Sequence, residues 1–111
     1  MDKQHTIYIA GPMTGVDNYN FPSFVKKQME LERDGWHVIN PVYIGAHLTA
    51  MTGRNFDGID RKVFLEFDLL YLKHFCHAIY MLKGWEQSQG AIVEHNVAIA
   101  YNLDIYYEED E

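Results

Sequence analysis

Glu94 and Asp68 are the two residues of this 111-residue chain most at odds with their neighbours. If Ser88 to Tyr101 is helical, position 94 shares a face with Gly90, Ala91, Val97, Ala98 and Tyr101, because residues three and four apart stack along a helix. By the same rule Asp68 interrupts a face made of Phe64, Leu65, Tyr71 and Leu72. An unpartnered carboxylate withdrawn from water costs on the order of several kcal/mol, so such residues are paired, sit at helix ends, or do chemistry. Two of them facing one cleft supply what glycosidic cleavage needs. One attacks or stabilises an electron-poor anomeric carbon, and the other holds it or manages a proton. Desolvation would push their pKa values apart. A structural reading stands beside this one, with a backbone amide or an arginine as partner, and spacing alone leaves both open.

Other segments are weighed in the same way. Gly11-Pro12-Met13-Thr14-Gly15 follows an apolar segment and can wrap a phosphate or sugar with backbone amides. It lacks the GxGxxG of dinucleotide folds and the GK[ST] of P-loops, which sets dehydrogenase and kinase readings aside. Ser88-Gln89-Gly90 opens a helix, where free N–H groups favour an anion and where a serine also serves as a plain cap. The indole of Trp85 can stack a nucleobase, cover the edge of the core or meet another subunit. The six histidines share no ligand spacing, so no metal site is expected, and the single cysteine, Cys76, reads as buried filler without a base to activate it.

The elements that must position these residues follow from periodicity and breakers. Thr6–Ala10 reads as a buried strand cut by Gly11-Pro12. Asn20-Phe21-Pro22 is expected to cap a first helix running to Asp34, which Gly35 stops. Trp36–Asn40 reads as a second strand ended by Pro41, and Val42–Asp57, with Gly45, Gly53 and no clean period, as a mobile loop. Gly58–Phe75 has the clearest helical spacing. His77–Leu82 is a third strand, Lys83–Gln87 a loop, Ser88–Tyr101 an apolar helix and Leu103–Tyr107 a last strand. Alternating strands and helices predict one α/β domain over residues 1–107, a parallel sheet of four or five strands with helices on both faces. Ligands in such sheets gather beyond the carboxyl ends of the strands, here near Gly11, Pro41 and Lys83.

Composition narrows the partners. With 48% hydrophobic residues the chain has ample apolar surface for a core, which excludes intrinsic disorder. Sixteen acidic residues face nine basic ones, and Glu108, Glu109, Asp110 and Glu111 form an acidic C-terminal tail. This balance argues against duplex nucleic acid and gives no reason for attraction to an anionic membrane, leaving a small-molecule ligand. Met1-Asp2-Lys3 leads at once into a short apolar run without a signal-peptide layout, and one cysteine suits a reducing compartment. A cytoplasmic protein is expected.

Tyr8-Ile9-Ala10-Gly11-Pro12-Met13-Thr14-Gly15, Asp68-Leu69-Leu70-Tyr71-Leu72, Ala78-Ile79-Tyr80-Met81-Leu82 and Gly84-Trp85-Glu86-Gln87-Ser88-Gln89-Gly90-Ala91-Ile92-Val93-Glu94 together resemble the nucleoside 2-deoxyribosyltransferase superfamily. The chain is most similar to the small bacterial and phage members of unassigned activity, and it also resembles the 2′-deoxynucleoside 5′-phosphate N-hydrolases. The resemblance runs in order over nearly the whole chain and is weakest between Val42 and Asp57. It implies a flavodoxin-like three-layer sandwich, no cofactor, a homo-oligomer, and cleavage of the N-glycosidic bond of a deoxynucleoside or its monophosphate. The glutamate matching Glu94 attacks the anomeric carbon, the aspartate matching Asp68 orients or protonates, and the tyrosine matching Tyr8 steadies the glutamate. The Gly11–Gly15 loop, Ser88, Gly90 and Trp85 fall at substrate-binding positions. Ser88 stands where transferases of free nucleosides carry an aspartate; a serine at a helix N-terminus accepts a 5′-phosphate that an aspartate would repel. Two positions depart from the pattern. His77 replaces a frequent aspartate, and the Gly11 loop lacks the phosphate-holding arginine of the hydrolases, which leaves Lys83 as the candidate cation. Two further classes stay in view: a nucleotide-binding module without turnover, and an assembly protein using Tyr106, Tyr107 and the tail.

Overall fold

Thr6-Ile7-Tyr8-Ile9-Ala10 forms strand β1 (Thr6–Ala10), β-branched and aromatic as a central strand requires, and every residue of it is buried. The computed structural model describes residues 5–109; the readings at Met1, Asp2, Lys3, Asp110 and Glu111 lie outside the described residues. After β1 come α1 (Phe21–Arg33), β2 (His37–Ile39), α2 (Pro41–Thr52), α3 (Arg61–Phe75), β3 (Ala78–Met81), α4 (Gln89–Ala100) and β4 (Asp104–Tyr107). The sheet is four-stranded and parallel in the order β2-β1-β3-β4, with Tyr8 registered against Ile39 on one side and Ile79 on the other.

The strand order explains the distribution of helices. From β1 the chain steps outward to β2, then reverses and steps past β1 to β3 and on to β4. Right-handed crossovers place connections of opposite direction on opposite faces. Accordingly α1 packs on one face with Ile7, Ile9, Phe24, Leu31 and Leu82, while the helices α2, α3 and α4 share the other with Tyr8, Ala10, Leu72, Ile79 and Met81. On the α1 face Trp36 and Tyr106 meet edge to face at 5.8 Å. Helices on both faces of a parallel sheet make the expected three-layer α/β sandwich. Among the described residues no helix is long and apolar enough to cross a membrane.

One expectation fails outright. Most of Val42–Asp57, expected as a mobile loop, is helix α2. Pro41, read as a strand stop, is the first residue of that helix, and Asn40 caps it by accepting the Val42 N–H at 3.0 Å. No period is visible because α2 is apolar on all sides. Gly45 is not a breaker: a Cβ there would sit 3.4 Å from the rings of Phe56 and Phe64, so the glycine lets two aromatics close on the helix. A second, smaller failure concerns Asn20. It does not cap α1; it adopts a left-handed conformation, φ 62°, and its side chain donates to the Pro12 carbonyl at 3.0 Å. The helix expected from Gly58 begins at Arg61, because Asp60 caps it and a 3₁₀ turn, Phe56–Gly58, precedes it.

Candidate functional site

The reversal of strand order puts a crevice between the carboxyl ends of β1 and β3, where open α/β sheets bind ligands. At these strand ends a Cβ on Gly11 would lie 2.8 Å from that of Leu82, so only glycine permits the approach. Above them Gly84, at φ +87°, lies against Pro12.

Beneath this crevice the three-helix face holds the carboxylates. Tyr8, wholly buried in the middle of β1, donates its hydroxyl to Oε2 of Glu94 at 2.5 Å. Glu94 is 6% exposed on α4. Asp68, half-buried on α3, interacts electrostatically with both. The three side chains come from a strand and two helices that neighbour one another, and each helix is anchored by a cap, Asp60 for α3 and Ser88 for α4.

Burial sets the protonation of this group. Loss of water pushes the Asp68 carboxyl up to about 7, opposed by the Tyr8 hydroxyl. Burial, then the charge of Asp68, push Glu94 well above the usual carboxyl range, and the Tyr8 hydrogen bond acts against them. Tyr8 is itself raised, by burial first and then by the two acids, and stays a neutral donor. Two acids in one desolvated site that resist full ionisation form a unit able to hold a proton near neutral pH.

The other expected site residues are distributed more widely. Ser88 accepts the Ala91 N–H at 3.2 Å as the N-cap of α4. Gly90 lies in the first turn, with open space where a Cβ would be. Gly11 and Pro12 line the crevice, but Met13 packs into the α1-face cluster, away from the carboxylates. Thr14 and Gly15 are exposed in a turn closed by Val16 N–H to Met13 O, with Gly15 at φ +80° as such a turn demands. Trp85 stacks on His95 at 4.4 Å, and His95 Nε2 lies 2.8 Å from the Tyr107 hydroxyl. One face of the indole is therefore occupied by the chain itself. Cys76 is buried, its thiol pushed up to about 12, and His77 accepts the Thr6 N–H at Nδ1, 3.1 Å.

Residues that local pattern did not mark also converge here. Tyr19 hydrogen-bonds to Asp57 and packs against Phe56, whose ring reaches Phe64 one turn before Asp68, linking the β1–α1 loop to α3. A cavity of about 660 Å³ opens beside this cluster, lined by Phe21, Phe56, Arg54 and small residues of α2; Tyr8, Asp68 and Glu94 do not line it. A second, of about 590 Å³, lies between α1 and the β3–β4 end and includes Lys27, Tyr80 and Lys83.

Among curated proteins none matches the chain. A family model described as a domain of unknown function, DUF4406, matches residues 5–107 and so spans every strand and helix described above. The chain therefore belongs to the DUF4406 family.

Proposed function

We propose that this protein cleaves the N-glycosidic bond of a deoxynucleoside 5′-monophosphate, or of a deoxynucleoside, through Glu94, with water or a second base as acceptor. The observation that carries this reading is the 2.5 Å hydrogen bond from the buried Tyr8 hydroxyl to Glu94, beside Asp68. It joins the three residues that the resemblance to the nucleoside 2-deoxyribosyltransferase superfamily assigns to the chemistry. The Glu94 carboxylate attacks C1′, the C–N bond breaks, and the base leaves with its electron pair while accepting a proton from Asp68. Water then attacks C1′, the bond to Glu94 breaks, and the water proton passes to Asp68. The productive form of the pair keeps its shared proton on Asp68 and leaves Glu94 ionised to attack.

Ser88 and the first turn of α4 receive the 5′-phosphate. The reading implies a cytoplasmic protein acting on small molecules without a cofactor.

A second reading, a nucleotide-binding module that senses or sequesters without turnover, is favoured by one observation. Burial and the charge of Asp68 push Glu94 towards its protonated form, which binds by hydrogen bonds and does not attack.

Chromatography of free base separates the two. Deoxynucleosides and their monophosphates are incubated with the protein, with and without an acceptor base, and Glu94→Gln is run alongside. Hydrolysis of monophosphates that falls about a thousandfold or more in the variant, with binding retained, supports the first reading. No release, with nucleotides still raising the melting temperature, supports the second.

A further inference from the structure

The β1–α1 connection contains a turn wound against the preference of L-amino acids. Asn18, Tyr19 and Asn20 stand in succession at φ 53°, 53° and 62°, all left-handed. Residues other than glycine visit this region singly, and asparagine tolerates it where the bulk of tyrosine does not. Backbone of this kind persists only where its surroundings hold it, and it gathers at ligand clamps and switch segments. Much of the support is local: the Tyr19 N–H reaches the Val16 carbonyl at 2.9 Å, and the Asn20 side chain reaches the Pro12 carbonyl at 3.0 Å. Among the described residues, one side-chain hydrogen bond leaves the connection, from the Tyr19 hydroxyl to Asp57, and there the Tyr19 ring also packs on Phe56 at 4.4 Å.

We propose that Tyr19 is a positioning residue, its bond to Asp57 latching a left-wound strap that keeps the crevice closed, and that release of this latch opens the crevice to its ligand. Two links run from the latch to the strand ends. On one side Asn20, next to Tyr19, holds Pro12, and Pro12 is the residue that Gly84 lies against beyond β3. On the other side Asp57 and Phe56 stand in the turn before α3, and Phe56 packs at 4.7 Å on Phe64, one turn before Asp68. While the latch holds, the loop after β1, the turn after β3 and the helix of Asp68 are tied together. Once it lets go, Asn18 and Tyr19 relax to ordinary backbone, Asn20 loses its aim at Pro12, and the loop swings away from Gly84. The strained turn works against the latch, which keeps the two forms close in free energy. A strap of this kind admits a ligand when open and shields it from water when closed. The proposal holds for any small molecule that enters the crevice and does not depend on the N-glycosidase reading; its test reads the opening itself, with no ligand present.

Amide hydrogen exchange of the full chain, followed by mass spectrometry, measures the opening, because exchange from a folded protein reports the population of its opened form. In Tyr19→Phe, and equally in Asp57→Ala, exchange over residues 11–21 and 82–88 is expected to rise about three- to tenfold, with β1 and β3 unchanged. Asp57→Asn keeps an acceptor oxygen and is expected to stay close to wild type. The double variant Tyr19→Phe/Asp57→Ala should open no further than either single one, since both remove the same bond. Asn18→Ala should open the strap without touching the latch, because alanine resists φ 53°, whereas Asn18→Gly should leave it closed. Wild-type exchange in Tyr19→Phe, a rise spread evenly over β1 and β3, or a rise that leaves 82–88 at wild-type rates overturns the proposal. Equal exchange in Asp57→Asn and Asp57→Ala overturns the assignment of the latch to this hydrogen bond, and equal exchange in the two Asn18 variants overturns the part given to strain.

Discussion

On the face covered by α1, Lys27 and Glu30 pair at 2.6 Å in contact with water, whereas on the face covered by α2, α3 and α4 the half-buried Asp68 and the buried Glu94 gather beside Tyr8. Proximity has opposite consequences in the two places. Near water, Lys27 is raised despite partial burial, through its bond to Glu30, and Glu30 is lowered by Lys27, so each group is held in its ordinary charged form. Beside Tyr8 both acids are pushed towards their protonated forms. The first arrangement is a surface ion pair of small energetic weight; the second retains a proton that exposed acids lose.

The largest expected effect follows from Asp68. Its carboxyl binds a proton more tightly folded, at about 7, than unfolded, at its ordinary value near 4. Asp68 should therefore make stability fall as pH rises between about 4 and about 7, by up to about 1.4 kcal/mol per pH unit, and Glu94, raised in the same direction, should add to the fall. Urea denaturation at pH 5, 6, 7 and 8 measures this slope, and Asp68→Asn should make it shallower while Glu94 keeps its own contribution. A wild-type slope equal to that of the variant would place Asp68 in the same class as the exposed acids.

A middle-sized effect belongs to the seam between the two faces. Gly11→Ala sets a Cβ 2.8 Å from that of Leu82 and should cost about 1–3 kcal/mol in chemical denaturation through overpacking. An unchanged midpoint would mean that this close approach yields easily. The smallest effect is expected on the α1 face, where Lys27→Ala should leave the urea midpoint close to that of the wild type at each pH from 5 to 8. A pH-dependent loss there would break the contrast between the faces.

What could be read in the sequence follows how local each signal is. Strand β1 and helices α1, α3 and α4 announce themselves through β-branched runs, spacing and breakers, and their alternation predicts a parallel sheet with helices on both faces, while the strand order is visible only in the structure. Glu94 and Asp68 were legible because a charge in an apolar stripe is visible within one helical turn on either side. Their partner Tyr8 was not legible from the residues alone: an aromatic in a buried strand is ordinary, and its hydroxyl meets Glu94 across 86 positions. The resemblance supplied that link. Helix α2 was missed because the amphipathic signal vanishes when a helix is apolar all round, and because Gly45 and Pro41 serve packing and initiation where they read as breakers. The stacking of Trp85 on His95 and the tie between Tyr19 and Asp57 depend on tertiary contact and leave no local trace.

The central claim is that the acids beneath the crevice hold a proton at neutral pH, and carboxyl ¹³C NMR on protein labelled at aspartate and glutamate tests it most directly. One aspartate signal, absent from Asp68→Asn, is predicted to titrate near 7, with a glutamate signal absent from Glu94→Gln still protonated above the usual range. Titration of every aspartate and glutamate carboxyl below about 5, in the range of exposed acids, would contradict the account.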